Sequence, residues 1–334
     1  MKFGKIENWI LAGGEDLIVQ AAKFLADNKE NFFIITGSRN LKEKLRNGKS
    51  LKQNFEANNF NYHISEDINN DEIVDRYIKK KTILLSLSSP WIFKEDFIKK
   101  FNKGVINLHE ANLPLNRGGA TISWMIMMNL KNSGSVLHFV TPKIDGGDVL
   151  MSSSYTFPKT CKIPIEYSDF IFSKSSSLIN RFLSNILNNH SFKLAKQNEI
   201  KSTYWPRLNT EKQGYINWSW DIEDIASFIH SFDDPYSGSR SFINKDEVII
   251  KHIEIFLEKN VFHPFQSGII YRKAKKQIYV AANRGTLIIR SIKSKKGQDI
   301  FSKIRIGDRI HTPNKYLEKS LMLRPVYSSK GLEK

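Results

Sequence analysis

Cysteine and long apolar runs are scarce in this chain of 334 residues. The single cysteine, Cys161, cannot form an internal disulfide or a thiolate metal cluster, which fits a reducing compartment. It also lacks a nearby histidine in the sequence that would activate it as a nucleophile. The longest apolar stretches, such as residues 9–12 and 83–85, are far too short to span a bilayer. We therefore predict a cytoplasmic protein without membrane insertion.

The chain also lacks a Gly-x-Gly-x-x-Gly phosphate loop. Its first turn between a β-like run and a helical pattern reads Ala12-Gly13-Gly14-Glu15 instead. Without the glycines that let a backbone approach a dinucleotide pyrophosphate, dehydrogenase activity is not expected.

Acidic residues are outnumbered by basic ones, because 51 Lys and Arg against 34 Asp and Glu give a net charge of +17. A basic surface attracts phosphate-bearing partners, which include nucleic acid, an anionic membrane and a phosphorylated small molecule. Much of this charge lies in short lysine runs such as 79–81 and 273–276, which are commonly solvated faces. The charge alone therefore does not select one of the three partners.

The apolar pattern of the first part of the chain predicts an α/β fold. Helical patterns alternate with β-rich runs, and these runs are 8–12, 32–36, 82–86, 105–109 and 135–140. Such alternation indicates a Rossmann-like, mostly parallel sheet flanked by helices. Ligands of such sheets bind beyond the carboxyl ends of the strands.

The character of the sequence changes after about residue 189, where a polar link leads to residues 204–207. Beyond a helical pattern at 222–232, short β-like runs recur at 248–255, 267–271, 277–281 and 286–292. Their spacing predicts a small barrel or sandwich. We predict a first domain with its linker over residues 1–204, an OB-like β-barrel over 205–325 and a loose tail over 326–334.

Polar side chains gather at the predicted ends of two neighbouring strands. Asn107 and His109 are two apart on one strand, so both side chains project from the same face. Asp145 follows the next strand in an Asp-Gly-Gly turn. Taken singly, each residue is more often structural, as a turn residue or a hydrogen-bonded core histidine.

Together, the three side chains suit acyl transfer to an amine. Asn107 can donate a hydrogen bond to a developing oxyanion, and His109 can transfer a proton or support the oxyanion. Asp145 can orient His109, raise its pKa, or hold a water that carries a proton between the two nitrogens. This chemistry requires neither a metal nor a covalent intermediate on the protein.

Three stretches resemble the signature of the folate-dependent formyltransferases. They are Asn107-Leu108-His109 with Leu113-Pro114 and Arg117-Gly118, then Gly134-Ser135-Val136-Leu137-His138-Phe139-Val140, and Ile144-Asp145-Gly146-Gly147-Asp148. The resemblance implies the formyltransferase fold, formyl transfer through a tetrahedral intermediate, and Asn107, His109 and Asp145 as catalytic residues. It also implies 10-formyltetrahydrofolate as the co-substrate.

The family's pterin site implies which residues bind this donor. They are Leu85, Ser86, Leu87, Ser88, Pro90, Lys143, Ile144, Gly146 and Gly147. The acceptor is predicted to contact Arg117, Gly118, Gly119 and Trp124. No metal site is expected.

The resemblance extends into the second domain and leaves several acceptors open. Residues 205–207, 214–219 and 234–238 resemble the linker and barrel of the tRNA and sugar enzymes of the family, whereas the glycinamide ribonucleotide enzyme is a single domain. The run 118–124 is similar to that of the sugar enzymes, and the Gly-Thr-Pro opening of the tRNA enzyme is replaced at residues 12–15.

We therefore favour the amine of a nucleotide-linked amino sugar, as used in lipopolysaccharide or O-antigen biosynthesis. Formylation of methionyl-tRNA, supported by the basic charge and the segment 39–52, is the alternative. A non-catalytic phosphate- or RNA-binding protein on the same fold is a lesser one, and a homodimer stays open.

Overall fold

A seven-stranded sheet organises the first part of the chain in the computed structural model, which describes residues 1–258 and 261–333. The strands are β1 (Asn8–Gly13), β2 (Phe32–Thr36), β3 (Tyr62–Ile64), β4 (Thr82–Leu87), β5 (Val105–His109), β7 (Asn132–Phe139) and β8 (Val149–Thr156), with the two-residue β6 (Arg117–Gly118) outside the sheet. The helices are α1 (Glu15–Asp27), α2 (Leu51–Ala57), α3 (Glu72–Tyr77), α4 (Glu95–Ile98), α5 (Thr121–Met127) and α6 (Pro164–Leu187).

The strand order places the ends of β4 and β5 at the centre of one sheet edge. The order is β3-β2-β1-β4-β5-β7-β8. Strands β1 to β5 run parallel to one another, β7 runs antiparallel to β5, and β8 runs antiparallel to β7. The predicted mostly parallel, Rossmann-like sheet is thus confirmed. Since the chain builds outward from β1 in both directions, a crevice is expected beyond the carboxyl ends of β1 and β4.

Alternating apolar residues bury both faces of this sheet. On β1, Trp9 and Leu11 pack into one core, and Ile10 and Ala12 pack into the core on the other face. Helix α6 covers the first face with residues such as Phe182. Burial on both faces is typical of parallel strands and requires nearly continuous apolar sequence.

The second part of the chain is an antiparallel barrel with helices packed on it. Its elements are β9 (Tyr204–Trp205), α7 (Thr210–Gln213), α8 (Ile222–Ser231), β10 (Ser239–Ile243), β11 (Asp246–Leu257), β12 (Ile270–Ala274), β13 (Gln277–Ala282), β14 (Gly285–Ser294), β15 (Ile310–His311) and α9 (Asn314–Met322). The sheet order is β12-β13-β14-β11-β10-β15. Its edges meet where the Ile270 N–H donates to the Asp308 carbonyl and the Ile310 N–H to the Gly268 carbonyl, both at 2.8 Å. The predicted small carboxyl-terminal barrel is confirmed.

The terminal segment 326–334, suggested by the sequence to be loose, forms a hairpin of β16 (Tyr327–Ser328) and β17 (Gly331–Leu332) over its described part. Ser329 is only 1% exposed, and its hydroxyl donates to the Glu66 carbonyl at 2.9 Å. The Arg39 N–H donates to the Ser329 carbonyl at 3.2 Å. The hairpin therefore packs against the first domain, an arrangement set by partners distant in sequence. Within the described residues, no helix combines the length and apolar character needed to cross a membrane.

Candidate active site

A cleft of about 280 Å³ opens beyond the carboxyl ends of β4 and β5. One wall comes from the segment after β4 and from the loop between β7 and β8. Further lining comes from the start of α5, from the linker strand β9 and from Arg207 just after it. The lining residues are Ser86, Ser88, Ser89, Trp91, Ile92, Phe93, Asn107, Leu108, His109, Glu110, Gly118, Gly119, Ala120, Thr121, His138, Val140, Thr141, Pro142, Lys143, Ile144, Asp145, Tyr204 and Arg207.

The amide of Asn107 is oriented by residues on the two neighbouring strands. On one side, the Ser86 hydroxyl donates to Asn107 Oδ1 at 2.8 Å. On the other, Asn107 Nδ2 lies 3.3 Å from His138 Nε2, because Asn107 and His138 are register partners on β5 and β7. With its oxygen accepting from Ser86, Asn107 has to present its NH₂ group away from β4. Its NH₂ hydrogens are therefore available to donate to a ligand in the cleft.

His109 is held in one tautomer by a backbone carbonyl. Its Nε2 lies 2.7 Å from the Asn116 carbonyl oxygen, and since a carbonyl only accepts, Nε2 carries the proton. The other ring nitrogen, Nδ1, lies 3.6 Å from Asp145 Oδ2. Burial lowers the pKa of His109, and the Asp145 carboxylate opposes this effect. His109 is therefore neutral at pH 7. A proton that binds to its Nδ1 would be stabilised by the nearby Asp145 carboxylate.

Asp145 connects the two histidines and is held by its own turn. Asp145 has a φ of +50°, and the Gly118 N–H donates to its Oδ2 at 2.9 Å. Its Oδ1 lies 3.4 Å from His138 Nε2. Burial raises the pKa of Asp145, but the hydrogen bond with His138 and the proximity of His109 outweigh it and bring the pKa to about 2. The carboxylate is thus ionised throughout the neutral range.

The backbone around Asp145 is fixed by a side chain from the linker. Gln197 Nε2 donates to the carbonyls of Asp145 and Gly147, each at 2.7 Å. Gly147 has no room for a side chain, because a Cβ there would lie 1.9 Å from the Phe139 carbonyl oxygen. The turn that presents the carboxylate is consequently rigid on both sides.

The structure brings the three predicted catalytic residues together as a connected set. An amide donor, a neutral imidazole and an ionised carboxylate converge on one cleft at the end of β5 and the start of the turn after β7. This arrangement can stabilise negative charge on a carbonyl oxygen and accept a proton from an attacking amine.

The predicted donor-binding residues divide into two groups in the structure. Ser86, Ser88, Lys143 and Ile144 line the cleft. Leu85 and Leu87 are fully buried in the core on the other face of β4, and Pro90, Gly146 and Gly147 are not among the lining residues. The division on β4 follows from its alternation, because successive side chains point to opposite faces.

The predicted acceptor-binding residues divide as well. Gly118 and Gly119 line the cleft, whereas Arg117 and Trp124 do not. Arg117 is 7% exposed and pairs with Glu199 at 2.8 Å. Trp124 Nε1 donates to the Pro206 carbonyl at 2.8 Å. Both side chains fasten the linker, so their direct contact with an acceptor stays a prediction without geometric support.

Sequence reasoning gave no role to several residues that the structure places in the site. His138 contacts both Asn107 and Asp145, and its position opposite Asn107 in the strand pairing is the signal that locates it. Trp91 and the largely exposed Ile92 lie just beyond β4, where bulky apolar residues next to a strand end indicate a ligand wall. Tyr204 and Arg207 enter from the linker, and no local pattern predicts their approach.

Two family models match the chain. The one described as "Formyl transferase" matches residues 15–160, and the one described as "Formyl transferase, C-terminal domain" matches residues 209–303. Together with the fold, these matches define the chain as a member of a class of enzymes that transfer one-carbon groups. More narrowly, it belongs to the formyltransferase family.

Curated relatives match mainly the first domain. The bifunctional polymyxin resistance protein ArnA of Wigglesworthia glossinidia brevipalpis is 28% identical over 58% of this chain and 29% of that protein. The methionyl-tRNA formyltransferase of Clostridium tetani is 29% identical over 62% of this chain and 65% of that protein. The chain thus covers less than two thirds of the length of these relatives.

Solved structures share the fold over more of the chain. An N-formyltransferase from Helicobacter canadensis, in complex with folinic acid and dTDP-3-aminofucose, has a TM-score of 0.67 at 21% identity and covers 86% of this chain and 100% of that one. WlaRD, a sugar 3N-formyltransferase in the presence of dTDP and 5-N-formyl-THF, has a TM-score of 0.66 at 20% identity and covers 86% of this chain and 98% of that one. At these identities, the likeness demonstrates a shared fold.

Proposed function

We propose that this chain transfers a formyl group from 10-formyltetrahydrofolate to the amine of a nucleotide-linked amino sugar. The observation that carries the proposal is the convergence of Asn107, His109 and Asp145 on one cleft of a formyltransferase fold. Two structures of this fold, which contain a folate and dTDP or a dTDP-sugar, support the donor and acceptor classes. The triad roles follow the family resemblance and the geometry together.

The residues on one wall of the cleft fit a folate. Trp91 lines this wall, and among the described residues its indole Nε1 is buried without a hydrogen-bond partner. Ile92 and Pro142 add apolar surface, while Ser88 and Lys143 add polar groups. A planar, heteroatom-rich ring needs this combination of flat apolar contact and a few polar contacts. We assign this wall to the donor, which when bound supplies a formyl group on nitrogen.

The residues of the chain act on the carbonyl and on the attacking amine. Asn107 Nδ2 donates to the carbonyl oxygen as negative charge develops on it. His109 Nδ1, neutral at pH 7, accepts a proton released by the attacking amine, and the Asp145 carboxylate stabilises the resulting imidazolium. The proton then passes to the donor nitrogen, which leaves as the tetrahedral intermediate collapses and the carbon–nitrogen bond to the donor breaks. Holding both nitrogens in one cleft removes the entropy cost of their encounter.

Methionyl-tRNA formylation is the second candidate function. It is favoured by the relatives of that name, including the one from Clostridium tetani. The basic charge of the chain suits an RNA acceptor as well as a nucleotide. A role in lipopolysaccharide or O-antigen synthesis in the cytoplasm is a prediction attached to the first candidate only.

A formylation assay separates the two functions. The full chain is incubated with 10-formyltetrahydrofolate and either a panel of nucleotide-linked amino sugars or charged initiator tRNA. We expect turnover of at least one amino sugar, and loss of that turnover in Asn107→Ala and His109→Ala. Efficient turnover of the tRNA alone would reject the sugar acceptor. Unchanged behaviour of His109→Ala would instead support a non-catalytic binding protein.

A further inference from the structure

Arg207 presents to the cleft a guanidinium group that no carboxylate of the described residues pairs with directly. Its side chain lines the same cleft as Asp145. Within residues 1–258 and 261–333, it makes no side-chain hydrogen bond or ion pair, and its Cζ lies 5.7 Å from the centre of the Tyr327 ring. Burial and the positive charge of Arg39 lower the pKa of Arg207, although the group stays charged at any physiological pH. An arginine left uncompensated in a partly buried place is costly unless an anion joins it.

A second guanidinium lies near Arg207, although it is not among the lining residues of the cleft. Arg39, in the segment after β2, interacts electrostatically with Arg207. Its described carboxylate partner is Glu43, with 3.4 Å between Nε and Oε1. Asp145 also attracts Arg207 electrostatically, but its carboxylate oxygens lie against His109, His138 and the Gly118 N–H, and among the described residues they form no ion pair with the guanidinium. Since like charges in a partly buried site repel each other, their juxtaposition is typical of a site for an anion with more than one negative charge.

Three separate parts of the chain hold the two arginines in place. The stem of Arg207 crosses Gly119, where a Cβ would lie 2.6 Å from Arg207 Cγ. Tyr327, from the terminal hairpin, donates its hydroxyl to the Leu208 carbonyl at 3.0 Å. The same hairpin accepts the Arg39 N–H on its Ser329 carbonyl. The hairpin, which neither family model covers, therefore contacts both arginines.

We propose that Arg39, Arg207 and Tyr327 form a subsite that binds the diphosphate of the acceptor. This inference rests on the proposed function and specifies how its substrate is held. The planar guanidinium fork matches phosphate oxygens in bidentate geometry, and Arg207 lies against Gly119, outside the set of residues assigned to the folate. When the diphosphate is bound there, the attached sugar extends toward Asp145 and brings its amine to the catalytic residues.

The test is a binding measurement that does not depend on turnover. Affinities of the full chain for dTDP, UDP, inorganic pyrophosphate and folinic acid are measured by calorimetry at two salt concentrations. For Arg207→Gln we expect at least tenfold weaker binding of the preferred diphosphate, and for Arg39→Gln and Tyr327→Ala about threefold to tenfold. Arg305→Gln, which removes an exposed arginine of the barrel, is the matched control and should bind normally.

Folinic acid binding and the proposed reaction separate the outcomes. Unchanged folinic acid affinity in every variant shows that the fold and the donor wall are intact. Equal diphosphate affinity in Arg207→Gln and the unaltered chain overturns the subsite, as does a chain that binds none of the diphosphates. If the variants lose diphosphate binding as expected but no amino sugar is formylated, the subsite stands and the proposed function fails. Loss of affinity for charged tRNA alone overturns the assignment to a small nucleotide.

Discussion

Replacing Asp145 by asparagine tests the centre of the proposed mechanism. The substitution keeps the shape of the side chain and removes one negative charge next to His109 and His138. The Gly118 N–H can still donate to the amide oxygen, so the turn should keep its conformation. The change therefore acts mainly on the electrostatics of the two imidazoles.

The size of the effect follows from the distance between Asp145 and His109. A proton on His109 Nδ1 would lie 3.6 Å from Asp145 Oδ2. At an effective dielectric constant of about 20, a unit charge pair at that distance is worth about 4 kcal/mol. If the imidazolium forms in the transition state, losing its interaction with the Asp145 carboxylate lowers kcat by about 10³-fold, since about 1.4 kcal/mol corresponds to a factor of ten.

Single-turnover formyl transfer with saturating donor measures this step directly. Asp148→Asn is the matched control, because Asp148 lies three residues further along and does not line the cleft. The control should retain the rate of the unaltered chain. A rate for Asp145→Asn within about threefold of the unaltered chain would show that no proton is stabilised at His109 during the reaction.

Three further perturbations extend the test. His138→Gln removes a hydrogen bond that holds the pKa of Asp145 low, so the pKa of this carboxyl, followed by NMR, should rise, with kcat reduced about tenfold; an unmoved carboxyl pKa would contradict this. The low pKa of Asp145, about 2 against the ordinary 3.8, stabilises the fold above pH 3.8 and ceases to do so as the pH falls toward 2. Asp145→Asn should thus lose about 2 kcal/mol of unfolding free energy in urea at pH 7, and a deficit that persists at pH 2 would refute the linkage. Gly118 has a φ of +102°, and a Cβ there would lie 2.2 Å from the Trp205 carbonyl oxygen, so Gly118→Ala should lose about 3 kcal/mol of unfolding free energy. The control Gly297→Ala, at a glycine with positive φ but no close neighbour, should lose about 1 kcal/mol. Equal losses in the two variants would exclude the contact with the linker.

Local pattern was sufficient to place the catalytic candidates. The spacing of two between Asn107 and His109 fixes a common face of β5, and the glycine turn fixes where Asp145 leaves its strand. The same rule of alternation separates Ser86 and Ser88 from Leu85 and Leu87 on β4, although the sequence comparison grouped all four. Strand periodicity is therefore more informative about this site than the contiguous motif.

Elements with mixed polar and apolar sequence were harder to predict. Strand β8 carries three consecutive serines at residues 152–154, because it is the edge strand of the sheet and part of it faces solvent. Helix α6 is the longest in the described chain, and its buried residues Ile171, Leu178 and Phe182 follow helical spacing among many serines. A periodicity count would have found α6, whereas β8 depends on its pairing with β7.

The roles of Arg117 and Trp124 could not be predicted locally. Both lie in a motif that resembles an acceptor site, yet their partners Glu199 and Pro206 come from the linker. A glycine-rich loop turns toward a ligand the side that is not covered by another segment of the protein. Nothing within residues 117–124 specifies which segment packs on this loop.

The linker is consequently part of the candidate active site as well as a connection to the barrel. Gln197 fixes the carbonyls of the catalytic turn, and β9 pairs with β6, so that the Gly118 N–H is aimed at Asp145. The same segment then delivers Arg207 to the cleft. Because one short stretch positions both the carboxylate and the guanidinium, a shift of the barrel would alter proton transfer and acceptor binding together. The glycines at 118 and 119 are needed for this close approach, which gives a physical reason for their place in the motif.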